Sequence, residues 1–386
     1  MDRTLSWLLP DGVFDVLPPE AAQLERVRRL CLDLLTVHGF ELVIPPLVEY
    51  TETLLGHASE DLKRQTFKII DQQNGRLMGI RADITQQIAR IDARVQNRSD
   101  VARYCYAAPV LRTLPQAVFE SRTPFQLGAE IYGHPGISAD IELIELALGL
   151  FTALGYEKPL HLDLGHVGIF PMLCELHHVT EAQMLTLSEM IDRKAPHEIR
   201  RYASQEGLST DFETLVRLCG PADAWVSELS PKAQAHELLV RAILDLRRVQ
   251  MHLEKQWPQV SQSSDAGQIA SYHYHTSVVF SVFGGGSEAL VRGGRYDGLA
   301  TTDQHVRPAA GFSLDLATLS ALVPGAAGPR VIAVPDLADD ALNALIQDHR
   351  AQGDVVFKVY GREKPARATH FYRLEKGKWL LEQANA

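Results

Sequence analysis

The fold is decided by Arg103–Gly133, RYCYAAPVLRTLPQAVFESRTPFQLGAEIYG. It reads as two apolar strands joined by a polar loop. Arg112 closes the first strand, and Arg122 stands on the approach to the second. Gln126 and Glu130 are four residues apart, and strand side chains alternate, so the two share one face. An amide, a carboxylate and nearby guanidinium groups on one sheet surface suit a small zwitterion. The open question is whether the chain reacts with such a ligand or only senses it.

The 386 residues allow one large domain with one or two smaller ones. Hydrophobic and charged fractions of 46% and 22% are those of an ordinary globular protein. A formal net charge of −10 disfavours general nucleic-acid binding, because phosphates would repel it. Cys31, Cys105, Cys174 and Cys219 are widely spaced and form no C-x-x-C pair, so they read as buried free thiols in a reducing compartment. No signal peptide and no membrane-spanning run is legible, which points to the cytoplasm.

Working outward, Leu24, Val27, Leu30, Cys31, Leu34 and Leu35 recur at helical spacing, and Gly39 stops the helix. Phe40–Ile44 follows as a strand ended by Pro45 and Pro46. Thr66–Ile70 and Arg76–Ile80 predict a hairpin about Asn74–Gly75. In IRADITQQIARIDARV, Thr85 is read as an N-cap, with Ile88, Ile91 and Val95 as the buried face of the helix. Asp83 and Thr85 then sit at a strand-to-helix turn. Ser138–Ala153 is helical, Leu160–Leu164 is a strand, and the pattern from Gly168 to Trp257 is helical almost throughout. Val260–Gly267 reads as a polar linker, Ser271–Phe283 as a strand, and Gly311–Val323 as a strand or turn entering a helix. Beyond Gly325–Gly328 come a β-α-β unit and a last hairpin about Gly377, a body small enough to need packing on the main one. The expected divisions are 1–166, a helical insertion 167–258, a return to the core 259–325, and a small α/β domain 326–386.

Taken in this order, the pieces resemble the catalytic core of class II aminoacyl-tRNA synthetases, histidyl-tRNA synthetase above all. Phe40–Glu49 (FELVIPPLVE) is similar to the first class II motif, a dimer-forming strand with its proline. Pro109–Arg112 with Phe125–Gly133 resembles the second. Gly293–Leu299 (GGRYDGL) with Gly311–Leu319 resembles the third, and Ile80–Thr85 resembles the synthetase's Arg-Pro-Glu-Gly-Thr segment. The resemblance implies an α+β fold: a class II antiparallel sheet flanked by helices.

Departures from that pattern decide the function. The arginine that binds ATP near the end of the third motif is replaced by Thr318. The Arg-x-Glu of the second becomes Arg112-Thr113-Leu114. The activating arginine of the Arg-Gly-Leu-Asp-Tyr-Tyr stretch becomes Ala270. Adenylation needs cations placed against developing phosphate charge, so losing two of them is expected to cost several orders of magnitude in rate. What the resemblance retains is the amino-acid pocket: Asp83, Thr85, Gln126 and Glu130, with Tyr274 or His275 lining it. Arg112, freed from phosphate, is assigned to the ligand's carboxylate; its competing role is an ion pair with Glu120.

A histidine-shaped site without ATP machinery resembles the regulatory subunit of ATP phosphoribosyltransferase, the enzyme of the first step of histidine biosynthesis. That family implies a non-catalytic protein that dimerises and joins a short-form catalytic subunit in a hetero-octamer. It activates that subunit and confers feedback inhibition by histidine. No cofactor, metal or tRNA is expected. The rivals are a working histidyl-tRNA synthetase and a stand-alone histidine-binding module. Three motifs receive bland readings. His273-x-His275 lacks a third metal ligand. Gly284–Gly286 and Gly293–Gly294 read as turns. The basic run Lys358–Lys378 reads as a solvated face, with docking of an acidic partner as the sharper alternative.

Overall fold

The computed structural model describes residues 8–56, 58–96, 100–115, 121–269, 274–297, 299, 307–325, 328–361 and 365–384. They form two compact units, 1–324 and 325–386.

The first unit is built on an eight-stranded sheet. Its strands lie in the order Glu41–Leu42, Ala102–Pro109, Phe125–Tyr132, Ala309–Asp315, Ala289–Arg295, Val278–Phe283, His161–His166, Ser261–Asp265. The six central strands pair antiparallel, and both outermost strands pair parallel, so the sheet is mixed rather than wholly antiparallel.

Alternation along Phe125–Tyr132 organises both faces. Leu127, Ala129 and Ile131 enter the larger core, beneath the helices Glu20–Val37 and Ile137–Ala153. Gln126, Gly128, Glu130 and Tyr132 turn the other way, where Tyr104, Tyr106, Tyr296, Ile84 and Ile88 make a second, smaller core. The helices from Ile169 to Gln256 connect two neighbouring strands, and their apolar faces join the larger core.

Several local expectations need correction. The strand after the first helix is only Glu41–Leu42, because Pro45 and Pro46 supply no N–H to a ladder. Leu30 is exposed while Leu32 is buried, so the helix turns its apolar stripe slightly differently. Val260–Gly267 contains a strand, Ser261–Asp265. Its polarity disguised it: the Ser264 hydroxyl accepts from Gln250, and Ser263 bonds Asp163 across the pair. Ser271–Phe283 is strand only from Val278; Tyr274 to Ser277 form an irregular lead-in, and 271–273 lie outside the described residues. Gly293 and Gly294 are not a turn but lie within the strand Ala289–Arg295. A Cβ at Gly293 would stand 2.5 Å from the Phe280 ring, so glycine permits close packing here. Gly284–Gly286 does form a turn, with Gly285 at φ +81. Cys31, Cys105 and Cys174 are buried and their thiols pushed up to about 12, 11 and 12 by burial, whereas Cys219 is exposed beside Gly220.

The helix after IRAD starts at Thr85, and Thr85 is not its cap: Asp83 Oδ1 accepts the Thr85 N–H at 2.8 Å. The helix then widens into a π-helix over Ile91–Gln96. The changed period turns Val95 outward, 62% exposed, and carries Asp92 and Ala93 into the interior.

The second unit has a four-stranded sheet ordered Val355–Val359, Val331–Pro335, His370–Glu375, Lys378–Gln383, with the helix Asp340–Ala351 joining the parallel pair. Ile332, Val334, Leu342, Ile346, Val356 and Tyr372 form its core. The hairpin turns at Gly377, φ +77.

Candidate functional site

A cavity of about 260 Å³ opens on the sheet face that carries Gln126 and Glu130. Asp83, Thr85, Arg112, Tyr274 and His275 line it. Gln126 and Glu130 are buried in its foundation rather than at its surface.

Each side chain is placed by a definite contact. Gln126 donates from Nε2 to Asp83 Oδ2 at 2.9 Å and accepts the Ile84 N–H at 3.0 Å. It thereby fixes the turn and aims Asp83. Thr85 Oγ1 lies 3.2 Å from the Tyr106 hydroxyl. Tyr106 reaches this point because its cross-strand neighbour is Gly128, where a Cβ would lie 2.3 Å from the ring. Arg112 bridges to Thr66 through the backbone, and its Nε makes one long bond, 3.5 Å, to the Ala82 carbonyl. Glu120, its suggested partner, lies outside the described residues. Arg122 is structural: it donates to the carbonyls of Arg112 and Asp11.

Glu130 is 1% exposed. Tyr132 donates its hydroxyl to Oε2 at 2.5 Å, while Oε1 has no hydrogen-bond partner. Burial pushes the carboxyl up to about 7, with the Tyr132 hydroxyl acting in the opposite direction. His275 Nδ1 and the Tyr296 hydroxyl are also shielded and unpartnered. Burial pulls the His275 imidazole down to about 4, so it is neutral at pH 7. Tyr274, His275 and Tyr296 pack as an aromatic wall, with centroids 4.8 to 6.5 Å apart. Buried polar groups are normally paired; here three without a hydrogen bond of normal geometry are collected at or beside one cavity, with Thr85 and Tyr296 close enough to Glu130 to pull its carboxyl down.

The cavity is dipolar. Asp83 and Asp61 line it, and Glu130 is buried outside the lining; Arg112 and Arg292 are the two Lys or Arg side chains that line it. Such a site can hold a zwitterion, with cationic groups inward and an anion outward. Tyr296 and Arg292 had drawn no site assignment from the sequence. Both lie in or beside GGRYDGL, and reading Gly293–Gly294 as a turn hid the strand alternation that places Arg292 on this face.

Neither Thr318 nor Leu114 lines the cavity. Thr318 is exposed, and its hydroxyl donates to Asp315 Oδ2 at 2.8 Å in the first turn of the helix Leu316–Leu322. Leu114 is exposed. Ala270 and His273 lie outside the described residues. No cluster of three metal-ligating side chains occurs among the described residues.

Comparison with known proteins gives a consistent result. The family model described as histidyl-tRNA synthetase matches residues 12–319. The chain is 42% identical to the ATP phosphoribosyltransferase regulatory subunit of Psychrobacter cryohalolentis, over 97% of this chain and 99% of that one. It is 40% identical to the protein of the same name from Acinetobacter baumannii strain AYE, over 98% of each. A Bacillus halodurans structure, described as an ATP phosphoribosyltransferase regulatory subunit/histidyl-tRNA synthetase, superposes with a TM-score of 0.79 at 25% identity, covering 93% and 94% of the two chains. A chain of the ATP phosphoribosyl transferase (HisG:HisZ) complex from Thermotoga maritima gives 0.59 at 18% identity, covering 78% and 98%, a likeness of fold.

Proposed function

Because the chain belongs to the ATP phosphoribosyltransferase regulatory subunits, a family built on the histidyl-tRNA synthetase fold, we propose that its cavity binds histidine and does no chemistry on it. The observation that carries this reading is the dipolar cavity with its three unpartnered buried atoms. Histidine's imidazole N–H would reach Glu130, its ammonium Asp83 and Thr85, and its carboxylate Arg112. Gln126 then acts by orienting Asp83. The positions of Thr318 and Leu114, both exposed, leave no cation there to meet a triphosphate.

Arg112→Met should weaken histidine binding about tenfold or more in calorimetry, since a charge-assisted bond is lost. Unchanged affinity would assign Arg112 to structure alone.

The partner in this reading is a short-form catalytic subunit, assembled as a hetero-octamer in the cytoplasm. Among the described residues, no helix is long and apolar enough to cross a membrane. Histidine inhibits if it binds the less active arrangement of the complex more tightly than the active one. The deciding experiment mixes the protein with the short-form catalytic subunit and measures phosphoribosyl transfer with and without histidine. Activation that histidine reverses supports the reading; no activation ends it. Pyrophosphate exchange with histidine and ATP tests the synthetase rival, for which turnover at synthetase rates is required.

Dimerisation is assigned to the Phe40–Glu49 region. Leu42, Ile44 and Leu47 are exposed there, Ile44 by 80%. A cluster of large apolar side chains in water is the expected mark of an interface. Ile44→Asp should convert a dimer to a monomer in sedimentation at micromolar concentration. A wild-type monomer under those conditions would remove this assignment.

A further inference from the structure

The register of the sheet places a second cation against the same anion. Ala289–Arg295 runs antiparallel to Ala309–Asp315, which runs antiparallel to Phe125–Tyr132. Gly294 faces Gly311, and Gly311 faces Glu130; one step along, Arg292 faces Ser313, and Ser313 faces Gly128. Gly311 shows which face this is, because a Cβ there would lie 2.5 Å from the Tyr296 hydroxyl and 2.8 Å from Glu130 Cγ. Gly294 agrees, since its Cβ would lie 2.7 Å from the His275 ring. Arg292 is two residues from Gly294 and so shares that face. Two strands across and two residues along separate its Cα from that of Glu130 by about 12 Å. With both side chains turned toward the gap, that spacing suits a ligand the size of a free amino acid.

Arg292 is exposed at the cavity mouth, and no hydrogen bond or ion pair engages its guanidinium among the described residues. Asp61, which lines the same cavity, is taken by Gln65 at 2.7 Å and Arg64 at 3.4 Å. An arginine with no partner among the described residues, lining a cavity that Asp83 also lines, is placed for an anion on the ligand. The three glycines on this face, 128, 294 and 311, let Tyr106, His275 and Tyr296 pack close against the sheet beside the cavity.

We propose that Arg292 and Arg112 together clamp the ligand's carboxylate, and that Arg292 makes the site selective for the free acid over its uncharged derivatives. This rests on the histidine reading given above and adds to it a residue and a selectivity. In this proposal Arg292 supplies a cation for the carboxylate that Ala270 cannot. A sensor of histidine abundance requires this selectivity, because precursors and derivatives share the imidazole and the amine.

The test is calorimetric titration of the full-length chain with histidine and with histidinamide, whose carboxylate is a neutral amide. Wild type should prefer histidine by roughly ten- to a hundredfold. Arg292→Met should lose about tenfold for histidine and stay within about twofold for histidinamide, so the preference collapses. Arg292→Lys should recover part of it. Binding of histidinamide by the variant also reports that the site is folded. Equal losses for both ligands, or no loss for either, would overturn the clamp. A wild-type chain that binds neither ligand would instead remove the histidine reading itself, a different result from loss of selectivity alone.

Discussion

Arg295→Met should destabilise the protein by about 3–5 kcal/mol, the cost of leaving a buried charge without its partner. Arg295 is 4% exposed and Asp140 is 2% exposed, and Arg295 Nη2 meets Asp140 Oδ2 at 2.6 Å. Nε reaches the same oxygen at 3.2 Å, and the guanidinium also donates to the carbonyls of His134 and Gly136, both at 3.0 Å. It therefore ties the end of the Ala289–Arg295 strand to the start of the Ile137–Ala153 helix. Asp140 is already marginal, with Oδ1 unpartnered and burial pushing its carboxyl up against the pull of Arg295. Removing the cation leaves a carboxylate that must be protonated or expose itself. The double change Arg295→Met with Asp140→Leu should regain most of the loss, because no charge is then left in the interior. Urea unfolding at pH 7 measures both. A single variant within 1 kcal/mol of wild type would mean that water reaches the pair.

That pair also shows where sequence reading stops. Asp140 and Arg295 are separated by 155 positions, and each alone looks like an ordinary helix-start acid or loop base. Only the folded register brings them together. By contrast, alternation in FQLGAEIY put Gln126 and Glu130 on one face, and that is where they lie. Local period was legible in most of the first helix, the hairpin at Gly75 and the C-terminal β-α-β unit, where apolar residues marked it. It failed where polar or glycine residues carried the strand. Ser261–Asp265 and Gly293–Gly294 are both laddered, yet neither offers the alternation of side chains that betrays a strand. The π-turn at Ile91–Gln96 was invisible for a related reason, since a helical period was assumed throughout. Asp83 and Thr85 do lie at the turn before that helix, but the Thr85 N–H is held by Asp83 and the Thr85 hydroxyl meets Tyr106 rather than capping the helix.

Glu130→Gln should raise stability at pH 8 relative to wild type by about 3 kcal/mol more than it does at pH 4.5. The sign follows from the direction of the shift. Burial raises the Glu130 carboxyl from 4.5 to about 7, so between those values the folded chain holds a proton that the unfolded chain has released. Stability from this group is therefore fully present below pH 4.5, falls as pH rises through that window, and is lost above about 7. Glutamine is neutral throughout and escapes the fall. His166 and His275, both pulled down to about 4 by burial, slope the other way, adding stability as pH rises from 4 to 6.5. They are common to both proteins and cancel in the difference. Urea midpoints at pH 4.5, 6, 7 and 8 for wild type and variant give the curve; a flat difference would show that Glu130 titrates as an exposed carboxylate does. The same variant should bind histidine about a hundredfold more weakly at pH 8, since an amide accepts the imidazole N–H without charge. In wild type, ionised Glu130 would then be stabilised by the ligand, and binding near pH 6 should release protons, visible as a dependence of the calorimetric heat on the buffer. A carboxylate that weakens the empty protein and strengthens the occupied one lowers the stability of the free state relative to the bound state. The ligand's contribution to the conformational balance is correspondingly larger, which under the proposed histidine-sensing role would favour a clear difference between the empty and occupied states.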